Sequence, residues 1–245
     1  MSMGTARDRL IVAIDVADAQ RAVNLVRALK DEVRYFKVGL ELHSALGPRI
    51  LELIFGEGAR VFLDLKYHDI PSMVERAAHI VTGMGVWGFS AHVMGGARML
   101  SAALNGANQR AEALHIPVPK VLGLTLLTHI DQEALNGELQ VPGDLQDRVV
   151  WQAKRAKECG LPGCIASPRE VVAVREACGP EFTIVTPGIR PSWVQATDDQ
   201  RRVMTPAEAL QAGADYLVVG RPITQSDRPV EMAKRVLAEM EEALS

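Results

Sequence analysis

The sequence predicts an α/β fold, specifically a (β/α)8 barrel, on three observations. Eight short apolar or β-branched runs recur along the 245 residues, and a longer segment separates each from the next. The readable intervening segments have helical, one-faced apolar spacing. No Pro/Ser-rich linker or break in composition interrupts the alternation, so residues 1–245 read as a single domain of ordinary barrel size. A doubly wound open sheet uses the same alternation and is the alternative arrangement.

The strand candidates are "LIVAIDV" (10–16), "YFKVGL" (35–40), "RVFLDLKY" (60–67) and "GFSAHVM" (88–94). They continue with "KVLGLTLL" (120–127), "GCIAS" (163–167), "FTIVTPGI" (182–189) and "DYLVVGR" (215–221). Most are almost uninterrupted apolar runs, as in parallel strands buried on both faces. Among the helices, "DAQRAVNLVRALKDE" puts Ala22, Leu25, Val26 and Leu29 on one face with Asp18 as N-cap. "PSMVERAAHIVTGMG" starts at Pro71 and stops at glycines. "LQDRVVWQAKRAKECG" and "PREVVAVREACG" end the same way, and "PVEMAKRVLAEMEEAL" closes the chain. The longest irregular stretches, residues 127–144 and 190–202, follow the fifth and seventh strands. In a barrel both emerge at the C-terminal face, where loops carry chemistry.

Composition narrows the function classes. A net charge of −3 with 4% aromatic residues argues against a nucleic-acid partner, which needs a basic patch and stacking side chains. Cys159, Cys164 and Cys178 are odd in number and lack zinc-site spacing, so they read as reduced thiols. No apolar run reaches the roughly 20 residues a membrane span needs, and "MSMGTARDRL" has no apolar signal core. A cytoplasmic protein without a membrane partner is expected. "GMGVWG" (83–88) satisfies G-x-G-x-x-G literally, but it follows a helix and precedes a strand, so it reads as a turn. The histidines have no metal-ligand spacing, and His68 and His129 at strand ends are only weak candidates. Neither a nucleophile elbow nor a P-loop is present in the sequence.

Charge gathers at the carboxyl ends of the early strands. Asp15 ends the first, Lys37 interrupts the second, Asp64 and Lys66 end the third, and Asp69 follows. Alternation places Asp64 and Lys66 on one face of their strand, and the open top of the barrel is the economical place for them. Buried ion pairs stabilise weakly, because desolvation offsets their attraction. Three acids and two lysines at matching strand ends therefore read as a site rather than a staple. At the other end of the chain, "TPGIRP" (186–191) and "VVGRPIT" (218–224) close the last two strands. Loops there commonly bind phosphate in barrels; Gly188 and Gly220 allow close backbone approach, and Arg190 and Arg221 add planar charge. A phosphorylated small molecule with its reactive part near Lys66 is the expected substrate.

The D-x-K-x-x-D of Asp64, Lys66 and Asp69, with "AIDV", "FKVGL", "TPGIRP" and "VVGRPI" around it, resembles the orotidine 5'-monophosphate decarboxylase family. The resemblance runs from Leu10 to about Thr224. It implies decarboxylation of orotidine 5'-monophosphate to uridine 5'-monophosphate and CO2, the final step of de novo pyrimidine nucleotide synthesis, with no cofactor and no metal. Lys66 would protonate the ring carbon that loses CO2, and Asp64 would lie near the departing carboxylate. Lys37 would stand beside Asp64, with Asp15 and Lys37 also reaching the ribose. Asp69 and Ile70 would enter the site of a neighbouring subunit, making a homodimer with shared sites. Thr128 would meet the pyrimidine, Gln200 would bridge base and phosphate, and Arg190, Gly220 and Arg221 would hold the phosphate.

The chain departs from the family pattern once: Met73 stands where a threonine usually helps bind ligand across the dimer. Sugar-phosphate lyases of the same superfamily share the third-strand motif but hold Mg²⁺, partly through an acid at the position of Lys37. A lysine there repels a divalent cation. Two readings stand beside the metal-free decarboxylase: such a Mg²⁺ enzyme, and a silent nucleotide-binding barrel that would have no need for all three charges of the motif.

Overall fold

Side-chain alternation divides each strand between two apolar environments. The structure is a computed structural model describing residues 5–194 and 203–244. Ile11 and Ala13 of β1 (Leu10–Ile14) join Tyr35 of β2 (Tyr35–Val38) and Phe62 of β3 (Arg60–Tyr67) in a cluster inside the barrel. Leu10, Val12, Phe36, Val61 and Leu63 face the other way and pack with the apolar stripes of the helices. Both faces are dry, which is why the strands read as unbroken apolar runs.

The remaining strands are β4 (Gly88–His92), β5 (Lys120–Leu124), β6 (Gly163–Ile165), β7 (Thr183–Thr186) and β8 (Tyr216–Val219). All neighbours are parallel, and β8 pairs with β1 to close the expected (β/α)8 barrel. The strands match the eight expected runs. Seven end two or three residues early, because Asp15, Gly39, Ser167 and Gly220 leave the ladder to form loops over the top; only β3 keeps its full length.

Helix boundaries follow local chemistry. Asp18 caps α1 (Ala19–Leu29) by accepting from Arg21 N at 2.7 Å, as expected. Between β2 and β3 lie two helices, α2 (Leu40–Leu46) and α3 (Arg49–Gly56), broken at Gly47, whose φ is +61°. Pro71 opens α4 (Pro71–Gly83), and the "GMGVWG" stretch turns from α4 into β4. Then come α5 (Gly96–Leu114), α6 (Leu145–Glu158) and α7 (Val171–Cys178). The loop before α6 contains one π-helical turn, Ala134–Glu138. α8 (Pro206–Gln211) carries a Thr205/Glu208 capping box. Arg221 does not end a strand; it opens the one-turn α9 (Arg221–Thr224), which precedes α10 (Pro229–Glu242).

The two ends of the barrel differ in chemistry. Tyr35, Trp87 and Tyr216 lie at the amino ends of their strands with ring centroids 4.8–5.8 Å apart, and Phe62 packs edge-on to Trp87. These rings plug the floor, and the cavity opens at the carboxyl end of the strands. Arg9 latches the floor by donating to the carbonyls of Ala214 and Asp215 at 2.8 and 2.9 Å. Among the described residues no helix is long and apolar enough to cross a membrane.

Candidate active site

The inward positions of β2 and β3 continue upward from Tyr35 to Lys37 and from Phe62 to Asp64, so alternation itself lifts both charges into the mouth. Lys37 Nζ lies 2.9 Å from Asp15 Oδ1 and 4.0 Å from Asp64 Oδ2. Lys66 Nζ donates to the same Asp64 Oδ2 at 2.8 Å. The order Asp15, Lys37, Asp64, Lys66 alternates in sign across three adjacent strand ends, so each interior charge has opposite neighbours.

Lys66 reaches the array by a route simple alternation does not describe. Leu63 pairs with Phe89 and Tyr67 with Ala91, so Asp64, Leu65 and Lys66 stand opposite the single residue Ser90. Such a bulge re-aims side chains. Lys66 sits at φ +56°, a left-handed conformation a non-glycine residue adopts at a cost of order 1 kcal/mol. Its backbone N–H, lost to the ladder, donates to Ser90 Oγ at 2.9 Å. Ser90 Oγ donates in turn to Asp64 Oδ1 at 2.8 Å.

Asp64 is 8% exposed. Burial pushes its carboxyl up, but Lys37, Lys66 and the hydrogen bonds from Lys66 and Ser90 outweigh burial and hold it below its ordinary value. His92, at the end of β4, goes down to about 4; burial is the main cause, with help from His68 and Lys66 against the opposing pull of Asp64. Its ring stacks on His68 at 5.0 Å.

The array forms one wall of a cavity of about 290 Å³. Leu124, Leu126 and Ile165 supply apolar lining, and Thr128 and His129 enter from the loop after β5. The rim after β7 and β8 is built from Gly188, Arg190, Gly220 and Arg221, with Gly220 beside Asp15 where β8 meets β1. Gly188 has φ +78°, and Arg190 is buried with its Nη1 donating to Ile189 O at 2.9 Å. Gly220 precedes the first turn of α9, so backbone N–H groups and an arginine meet at this rim, a combination suited to a phosphate. A mouth lined by two lysines and two carboxylates on the ends of β1 to β3 and by two arginines after β7 and β8 can hold a polyanion at the arginines and develop negative charge at the lysines.

Eight of the eleven expected site residues therefore line one cavity: Asp15, Lys37, Asp64, Lys66, Thr128, Arg190, Gly220 and Arg221. Asp69 and Ile70 do not line it. Asp69 is exposed and accepts from Ile70 N at 2.6 Å, and Ile70 is 63% exposed. Gln200 lies outside the described residues. Sequence reasoning passed over three residues here. Ser90 reads as a small core residue of an apolar strand. Ser167 lines the cavity with its Oγ buried and without a hydrogen-bond partner among the described residues. Gly39 leaves the space that the Lys37 ammonium fills; the only trace of it in the sequence is a glycine directly after a charged strand.

The pattern of the family described as "Orotidine 5'-phosphate decarboxylase / HUMPS family" matches residues 8–236. A Syntrophomonas wolfei protein named orotidine 5'-phosphate decarboxylase is 47% identical over 238 residues, covering 97% of this chain and 99% of that protein. A Moorella thermoacetica protein of the same name is 48% identical, covering 96% and 93%. Among solved structures, orotidine 5'-phosphate decarboxylase from Lactobacillus acidophilus superposes with a TM-score of 0.83 at 33% identity, covering 95% of this chain and 98% of that one. The chain belongs to the orotidine 5'-phosphate decarboxylase / HUMPS family.

Proposed function

We propose that this protein converts orotidine 5'-monophosphate to uridine 5'-monophosphate and CO2 without metal or cofactor, the last step in making a pyrimidine nucleotide. The alternating Asp15–Lys37–Asp64–Lys66 array carries the reading, supported by relatives that bear the enzyme's name. When CO2 departs, the electron pair of the broken C–C bond stays on the ring carbon. The Lys66 ammonium stabilises that pair and then gives the carbon its proton; water later reprotonates Lys66. Asp64, kept ionised by its two lysines, stands near the substrate carboxylate and disfavours the ground state relative to the CO2-free one.

Lys37 argues for the metal-free member of the family. Its ammonium occupies the place between Asp15 and Asp64 that a divalent cation would need. Arg190, Gly220 and Arg221 bind the phosphate, whose remote binding energy is directed at the transition state. Thr128 meets the pyrimidine and Gln200 bridges base and phosphate; Asp15 and Lys37 also bind ribose hydroxyls.

The functional unit is a homodimer. Asp69 and Ile70 sit outside their own cavity, and the exposed apolar Ile70 and Met73 follow Asp69 in the chain as on a partner-facing edge. Met73 offers no hydrogen-bond donor, so Asp69 carries the polar contact across the dimer.

A spectrophotometric assay with orotidine 5'-monophosphate in the presence of EDTA tests the reading. Folded wild type turns over, and Lys66→Ala loses more than about 10⁴-fold in kcat while still binding uridine 5'-monophosphate. A folded wild type with no turnover, or one stopped by EDTA, rejects it.

A further inference from the structure

We propose that Ser90 is a positioning residue for the decarboxylation, its one hydroxyl holding both the Asp64 carboxylate and the backbone of Lys66. The inference rests on the assignment of Lys66 as proton donor. Ser90 is fully buried and does not line the cavity, so it does not touch substrate. It acts through geometry at the bulge, where three residues of β3 face this one residue of β4. Its Oγ accepts from Lys66 N at 2.9 Å and donates to Asp64 Oδ1 at 2.8 Å.

These two bonds do different things. Lys66 has given up its ladder partner to adopt φ +56°, and a buried N–H without an acceptor is costly. Ser90 supplies that acceptor, so the hydroxyl makes the left-handed placement of Lys66 tenable. The hydroxyl proton is thereby committed to Asp64, a bond that favours the carboxylate over the acid. Because Lys66 Nζ takes the other Asp64 oxygen, the carboxylate is held at both ends, and Lys66 is tied at both its backbone and its ammonium. An alanine keeps the shape but provides neither bond.

Four charged or titratable groups among the described residues bear on Asp64. Lys66 comes from its own strand, Lys37 from β2 and His92 from β4, with Asp15 on the far side of Lys37. His92 is uncharged at neutral pH, so the lysines and Ser90 hold the carboxylate.

The test compares Ser90→Ala and Ser90→Thr with wild type. Ser90→Ala lowers kcat by about 10- to 100-fold, the loss of one or two hydrogen bonds to charged or buried groups. It leaves the affinity for uridine 5'-monophosphate within about twofold, and the acidic limb of the kcat profile moves to higher pH. Ser90→Thr restores the hydroxyl and at least part of the rate. Independently of turnover, carboxyl-carbon NMR titration finds the Asp64 pKa raised in Ser90→Ala. A folded Ser90→Ala with wild-type kcat and an unmoved Asp64 titration overturns the inference. An inactive wild type whose Asp64 titration still responds to Ser90→Ala overturns the assigned reaction and leaves the hydroxyl's control of Asp64 standing.

Discussion

A β-carbon on Gly39 would stand 2.7 Å from Lys37 Nζ and 3.1 Å from Asp15 Oδ1. The Lys37–Asp15 bond at 2.9 Å therefore fills space that any other residue at position 39 would occupy. The backbone of Gly39 has φ −102°, open to any residue, so it is space rather than conformation that calls for glycine. Gly39→Ala keeps the fold, because a flexible side-chain end gives way, but it pushes the ammonium out of line. Turnover is expected to fall by about 100-fold, the scale of a misplacement of about 1 Å, with a melting temperature near that of wild type. Steady-state kinetics and thermal unfolding check the pair; unchanged kcat/KM would contradict this role.

Lys66 holds a left-handed backbone conformation, φ +56°, in the cavity wall. Lys66→Ala and Lys66→Gly both delete the ammonium and differ only in the β-carbon at φ +56°. Glycine adopts that conformation freely, so Lys66→Gly is expected to be the more stable by about 1 kcal/mol, the reverse of the usual order. Chemical denaturation of the two variants measures it, and an alanine variant equal or superior in stability refutes the strain.

His92 makes stability depend on pH. Its pKa goes from an ordinary 6.5 to about 4 in the folded chain. Between those values the unfolded chain binds a proton that the folded chain does not, so stability falls as pH falls through this window and levels off below it. His92→Gln removes this dependence. The variant is expected to lose less stability than wild type between pH 7 and pH 4, measured by denaturant unfolding at each pH. Parallel losses would mean that His92 titrates normally.

Asp69 is turned out of its own cavity, as a residue serving a neighbour would be. Asp69→Ala and Lys66→Ala are each expected to be nearly inactive as pure proteins. Mixing them under conditions of subunit exchange is expected to restore up to about a quarter of wild-type activity, since hybrid dimers contain one site with both residues intact. Exchange without recovery argues that each site is complete within one chain.

Much of this architecture could be read along single strands. Parallel strands buried on both faces leave unbroken apolar runs, and alternation then forces Lys37 and Asp64 to continue the inward columns begun by Tyr35 and Phe62. The arginine–glycine groups after the last two strands were legible for the same reason: loop position follows from strand order. Residues acting through a second strand were hidden. Ser90 looks like a core residue until β3 and β4 are paired, because the bulge belongs to the register between them and its hydrogen bond joins residues 26 apart in sequence. Gly39 is likewise unremarkable until the Lys37 side chain folds back over it. Local burial periodicity is a property of one strand and survives in the linear chain; the placement of Lys66 depends on a shared hydroxyl and a register shift, which exist only once distant strands lie side by side.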